Sequence, residues 1–164
     1  KLALKNNISF VIIRPPLVYG PGVKANFYQL IKIINNKFPI PLASISNLRS
    51  YIYIDNLISF ICECIKNDSS NGKIFLVSDK SPLSTPDLIR EIADALGVKP
   101  RLFTIPPGLL NFFSKLIKKK SKLNKLTSSL VIDPKEAYST LNWEPPFSTK
   151  EGIKSTIKWF TSKN

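Results

Sequence analysis

An α/β fold is what this sequence predicts, and two patterns predict it. Residues 8–13 (ISFVII) and 73–78 (KIFLVS) are short runs rich in β-branched and aromatic residues. Such runs read as strands buried on both faces of a parallel sheet. Between and after them, apolar residues recur at helical spacing, as at Phe27, Leu30, Ile31 and Ile34. Strand runs alternating with helical runs define the class.

Residues 1–7 read as the end of a helix closed by Asn6 and Asn7. The first strand stops at Arg14-Pro15-Pro16, because proline has no N–H to give to a ladder. Residues 17–22 (LVYGPG) read as a loop with Gly20-Pro21-Gly22 as turn chemistry. A helix is expected over 25–36. The proline-punctuated stretch 37–48 reads as an extended loop with a short strand around Ile40–Leu42. A short strand over 50–54 leads to Asp55, the expected N-cap of the helix NLISFICECIKN. Asn71-Gly72 marks a turn before the second buried strand. Ser84-Thr85-Pro86-Asp87 has capping-box spacing with proline in the first turn, and the helix it opens runs to Gly97, a suitable C′ residue. RLFTI (101–105) reads as a short strand, and Pro106-Pro107 opens an apolar helix. Residues 131–143 read as a strand or loop followed by a short helix. Ser148 or Thr149 caps the last helix.

The 164 residues, 43% hydrophobic, allow one ordinary domain or a piece of a larger one, with a real core. No run reaches the roughly 18–20 apolar residues of a membrane span, and no signal peptide is readable. With no His, triads, general bases and zinc sites that use His are excluded. Cys62 and Cys64 point about 200° apart on a helix, so they read as a boundary residue and a core residue; a reducing cytoplasm fits. The chain has no Met and opens in what reads as mid-helix, so a piece of a longer protein is expected.

Four stretches carry a family resemblance: VIIRPPLVYGPG (11–22), PIPLASISNLRSYIYIDNL (39–57), IFLVSDKSPLSTPDLIREIADALG (74–97) and VIDPKEAYSTLNWEPPFSTKEGI (131–153). In order and spacing they resemble the C-terminal half of extended short-chain dehydrogenase/reductases, the NAD-dependent epimerase/dehydratase family, in its UDP-sugar 4-epimerase-like flavour. The resemblance covers essentially residues 1–164. It implies a Rossmann-type fold of which this chain holds the last parallel strands and a small α/β substrate-binding region. It also implies a nucleotide-diphosphate sugar as substrate, NAD or NADP as cofactor, and a place in surface-polysaccharide biosynthesis. No GxxGxxG loop occurs, and no YxxxK precedes the RPP strand. The dinucleotide-binding N-terminal half and the acid–base residues are therefore expected elsewhere, no catalytic residue is assigned in this chain, and the chain alone is expected to be inactive.

By that resemblance, Pro15, Leu17 and Val18 line the carboxamide end of the cofactor. Arg49 grips the nucleotide diphosphate, for which a guanidinium offers a planar two-pronged donor. Asn26 and the backbone at Leu42 and Ala43 match positions that touch nucleotide or sugar. Lys125, or Lys122, is expected to stand in for a second Arg. Leu17 stands where UDP-galactose epimerases carry Asn, which leaves the sugar open and raises a 4-keto-sugar nucleotide reductase as an alternative. Asp55 reads as a cap rather than a ligand. Trp143 reads as packing under Pro145-Pro146.

The chain carries a formal charge of +13, and Lys115, Lys118, Lys119, Lys120, Lys122 and Lys125 follow the apolar LLNFF with no acid between. This reads as a solvated face beside an anionic substrate. A membrane-peripheral surface for anionic lipid is the alternative, and with it a non-catalytic basic module. Nucleic acid is the least favoured partner, since no reader motif is present. A homodimer is left open, and the expected location is the cytoplasm or its membrane face.

Overall fold

The structure is a computed structural model that describes residues 8–104 and 127–163. The helix end at 1–7, the helix opened by Pro106-Pro107 and the basic run with Lys122 and Lys125 lie outside the described residues. Along the described chain come β1 (Ile12–Arg14), β2 (Leu17–Tyr19), α1 (Ala25–Asn35), β3 (Tyr51–Tyr53), α2 (Ile54–Lys66), β4 (Ile74–Leu76), α3 (Thr85–Leu96), α4 (Lys135–Leu141) and α5 (Thr149–Ser162). Strands and helices are interspersed in an α/β order, as expected, with three described helices following β4.

Pro15 and Pro16 divide the early chain between two parallel pairs. β1 pairs with β4, Ile13 opposite Phe75. β2 pairs with β3, Val18 opposite Ile52. Residues 17–19, expected in a loop, are thus a strand. Two residues without N–H groups end the first ladder, and the chain joins a new partner directly after them. β1 is also shorter than 8–13. The Phe10 N–H donates to Asn71 Oδ1 (3.1 Å) and its carbonyl accepts from the Gly72 N–H (2.7 Å), so the Asn71-Gly72 turn holds it instead of a strand. Nor are β1 and β4 covered on both faces. Phe75 is buried, but Ile12, Ile74 and Leu76 are 40–46% exposed. The strands expected at 40–42 and 101–105 reduce to one parallel bridge, Ile40 with Leu102.

The helices follow their apolar periodicity. Phe27, Leu30, Ile31 and Ile34 of α1 are buried, as their spacing predicts. α2 corrects the capping expectation: β3 runs straight into it, Tyr53 takes the N-cap position without a side-chain bond, and Asp55 sits in the first turn. In α3, Ser84 Oγ accepts from the Asp87 N–H (3.1 Å) and Gly97 closes the helix at φ 68°. α5 opens with Ser148, and a full capping box joins Ser148 to Glu151. Trp143 belongs to the second of two apolar clusters. It is packed on the Phe60 and Tyr138 rings (5.0 and 5.6 Å), and its Nε1 donates to Ser59 Oγ (3.0 Å). Cys64 is buried and Cys62 exposed. No described helix is long and apolar enough to cross a membrane.

The alternation of β3 sends its side chains to two apolar clusters. Tyr51 and Tyr53 join Tyr19 with the inner faces of α1, α3 and α5. Ile52 joins α2, β4 and α4, with Phe60, Phe75 and Trp143 at the centre. Between the clusters lies a buried carboxylate. Asp79, 4% exposed, accepts from the Tyr19 hydroxyl (2.9 Å), the Tyr53 N–H (3.2 Å) and Asn56 Nδ2 (2.8 Å). Its own N–H donates to the Tyr51 carbonyl (2.8 Å). Asn56, fully buried, also donates to the Phe147 carbonyl (2.9 Å) and accepts from the Phe147 N–H (3.0 Å). One acid thus links the exit of β4 to β2, β3, α2 and the start of α5. Gly152 lets α5 approach: a Cβ there would lie 2.7 Å from Tyr53 Cγ and 2.8 Å from the Tyr19 hydroxyl.

Replacing Asp79 by Asn puts an amide donor among these donors, with an expected loss of about 2–3 kcal/mol in urea denaturation of the protein. Burial, outweighing the hydrogen bonds, holds the Asp79 carboxyl above its ordinary value of 3.8. The native state then binds this proton more tightly than the unfolded chain. Stability from Asp79 is full at low pH and falls as pH rises from about 4 through the raised value. The gap between parent and Asp79→Asn should narrow over that window. Gly152→Ala should cost about 1–3 kcal/mol by overpacking the tyrosines, read in the same denaturation assay.

Candidate functional site

The Pro15–Pro16 corner leaves the carboxyl end of β1 and enters the amino end of β2. The crevice outside carboxyl strand ends is where open α/β sheets hold ligands. Pro15 is exposed, Leu17 is 36% exposed and Val18 is half-buried. The corner therefore presents apolar side chains, and neither proline has an N–H to donate.

Arg49 arrives at the same end of the β2–β3 pair, two residues before Tyr51, the register partner of Leu17. It is half-buried and held from both sides. Its backbone exchanges hydrogen bonds with Leu83 (2.9 and 3.0 Å) and bridges Leu130. Its Nη1 donates to the Ser128 carbonyl (3.0 Å) and Oγ (3.3 Å). Asn47 Nδ2 donates to the same carbonyl (3.2 Å), while Asn47 Oδ1 accepts from the Thr85 N–H (3.0 Å). Burial pushes the Tyr51 phenol up, and the neighbouring Arg49 charge works against that rise.

The remaining expected residues lie differently. Asn26 is exposed at the second position of α1, beyond the other end of β2. Leu42 is 5% exposed in the apolar cluster, and its carbonyl accepts from the Ile45 N–H (3.2 Å). The Ala43 N–H donates to the Phe103 carbonyl (3.1 Å). Both of those backbone groups are thus engaged within the chain. Lys125 lies outside the described residues. The register brings Pro15, Leu17 and Arg49 to one end of the β2–β3 pair, with Val18 the next residue along it.

Among the described residues, no group of three or more His, Cys, Asp or Glu could hold a metal ion. One surface concavity of about 300 Å³ is lined by Lys80, Ser81, Phe147 and Ser148, and one of about 450 Å³ by Tyr138, Asn142, Trp143 and Glu144. Neither contains a residue of the corner or Arg49. The flanking Lys80 and Glu144 are paired with each other at 2.5 Å. The corner and Arg49 are the better candidate, because they unite a ligand-binding position in the fold with a phosphate-matching side chain. Spacing alone does not single out the Asp79 centre behind them. Its one signal in the sequence is an acid directly after a buried strand run.

Residues 2–106 match the 3-beta hydroxysteroid dehydrogenase/isomerase family. The chain is 38% identical over 164 residues to a UDP-glucose 4-epimerase of Vibrio cholerae, covering 99% of this chain and 50% of that protein. It is 26% identical to the N-acetyl-alpha-D-glucosaminyl-diphospho-ditrans,octacis-undecaprenol 4-epimerase of Escherichia coli O157:H7, covering 92% of this chain and 49% of that protein. The chain spans about half the length of these curated relatives. Among solved structures, the fold is similar to the UDP-glucuronic acid 4-epimerase of Bacillus cereus in complex with NAD. The TM-score is 0.73 at 18% identity, over 98% of this chain and 47% of that one. It is also similar to an epimerase of Methanothermobacter thermautotrophicus, with a TM-score of 0.76 at 16% identity over 99% of this chain and 46% of that one. By this match and by its parallel α/β fold, the chain belongs to the 3-beta hydroxysteroid dehydrogenase/isomerase family, within the extended short-chain dehydrogenase/reductases.

Proposed function

We propose that this chain is the substrate-side half of an NAD(P)-dependent nucleotide-sugar epimerase, acting on a UDP-hexose. The observation that carries this reading is Arg49, held at the corner end of the β2–β3 pair. The Ser128 contacts set the orientation of this half-buried guanidinium, a planar group whose geometry suits the phosphates of a sugar nucleotide. Relatives named for UDP-sugar 4-epimerisation support the substrate class.

The corner also fits one wall of a nicotinamide site. Pro15 follows the carboxyl end of β1, and with Leu17 and Val18 at the start of β2 it offers an apolar surface against which a flat ring can pack. The bound cofactor supplies hydride exchange with the sugar. This chain orients the substrate: Arg49 fixes the diphosphate, and the corner sets how deep the sugar sits. The proton-handling pair and the phosphate-seating glycine loop belong, on this reading, to sequence outside residues 1–164, and the chain alone does not turn over a UDP-hexose.

Leu17 favours a second reading. A partly exposed leucine supplies no hydrogen bond to a sugar diphosphate, so a 4-keto-sugar nucleotide reductase on the same scaffold is the alternative. An epimerase interconverts UDP-hexoses without net use of reduced nicotinamide, whereas a reductase consumes one per turnover.

Arg49→Lys in the intact protein should lower kcat/KM for a UDP-hexose by roughly 10–100-fold, the size expected for losing a charged hydrogen bond. The loss should fall in KM with kcat nearly unchanged, because the diphosphate stays bound throughout the reaction. An unchanged KM in steady-state assays would remove Arg49 from the site.

A further inference from the structure

Asn47 joins two distant parts of the chain beside Arg49. It is 5% exposed, and both ends of its amide are used. Asn47 Nδ2 donates to the Ser128 carbonyl (3.2 Å), and Asn47 Oδ1 accepts from the N–H of Thr85 (3.0 Å), the first residue of α3. Satisfying the Thr85 N–H alone would need only an acceptor, which a carboxylate also supplies; the donor half is the one that reaches Ser128. The same carbonyl accepts from Arg49 Nη1 (3.0 Å), which also meets Ser128 Oγ (3.3 Å). Residues two apart along bridged, strand-like backbone project to one face, and Asn47 and Arg49 both reach this one oxygen. The stretch after Ser128 is stitched to residues 48–50. The Leu48 N–H donates to Ser129 Oγ (3.2 Å), the Leu130 N–H to the Leu48 carbonyl (2.9 Å) and the Ser50 N–H to the Leu130 carbonyl (2.9 Å). Those bonds place residues 129 and 130. The Ser128 carbonyl lies at the end of the stitching, where Asn47 holds it.

We infer that Asn47 is a positioning residue for Arg49: it fixes the Ser128 carbonyl against the start of α3, and that carbonyl sets the direction of the guanidinium. This rests on the reading that Arg49 holds the diphosphate of a sugar nucleotide. An arginine side chain loses rotamer freedom when it engages a ligand, and a tether that orders it beforehand lowers that cost. Both Ser128 oxygens act on one guanidinium nitrogen, so the tilt of the planar group follows the place of Ser128. Thr85 is 1% exposed and opens a helix whose inner face lies in the apolar cluster, so it is a firm anchor. Without the Asn47 donor, the Ser128 carbonyl keeps Arg49 but loses its link to that anchor. The effect of Asn47 on substrate passes through Arg49 and falls on binding of the diphosphate, which stays bound through the reaction.

A double-mutant cycle on the intact protein, with a UDP-hexose as substrate, tests this. Asn47→Ala is expected to raise KM roughly tenfold, with kcat within about twofold of the parent. In an Arg49→Ala background the same change is expected to shift KM by less than about twofold, because no guanidinium remains to be placed. Asn47→Asp keeps the acceptor for Thr85 and removes the donor to Ser128, so it also raises KM while leaving the start of α3 in place; it carries the same cycle if the alanine variant fails to fold. A KM within about twofold of the parent in a folded Asn47 variant overturns the inference. A fall in kcat at unchanged KM overturns it too, and so does an equal rise of KM in both backgrounds, which assigns Asn47 to the fold alone. The two readings fail separately. If Arg49→Ala leaves KM unchanged, the diphosphate role of Arg49 falls and this inference with it. If Arg49→Ala raises KM and the Asn47 variants do not, this inference alone falls and the function stands.

Discussion

A single buried carboxylate organises this structure. A desolvated acid is tolerated only where donors converge on it. Asp79 takes its donors from Tyr19, Tyr53 and Asn56, which belong to three different elements. Meeting that requirement sets where β4 ends relative to the β2–β3 pair. Asn56 extends the tie to Phe147, and so to the capped start of α5. The single Tyr19 O–H is shared between Asp79 and the Thr149 carbonyl (3.2 Å), so α5 is held at both its entrance and its close glycine contact. The register of β2 against β3 then follows, and with it the placement of the Pro15–Pro16 corner beside Arg49.

Much of the fold is legible one element at a time. α1, α3 and α5 are written in apolar periodicity and in Ser84, Gly97 and Ser148, because helix formation and capping are local. β2 is not legible: three residues between two prolines and a glycine turn carry no alternation long enough to read, and only the distant β3 makes them a strand. Asp55 misleads for a similar reason. A strand that runs directly into a helix leaves no loop for a capping side chain, and the last strand residue takes the position.

The candidate site divides in the same way. Arg49 is singled out by the family resemblance of LRSYIYIDNL, and the guanidinium chemistry agrees with that reading. Its clamp by Ser128, 79 residues away, is not legible, and neither is the Asp79 centre, whose partners lie 23 to 60 residues distant. Polar contacts of that span depend on the assembled fold, and no periodicity records them. The same holds for Leu42, which is committed to the core.

The central claim is that Arg49 and the Pro15–Leu17 corner form one side of a nucleotide-sugar site. A crystal structure of the intact protein with a UDP-hexose bound tests it most directly. The account predicts diphosphate oxygens within about 3.2 Å of the Arg49 guanidinium and the hexose against residues 15–18. A diphosphate held elsewhere, with the Arg49 side chain out of reach of it, would contradict the claim.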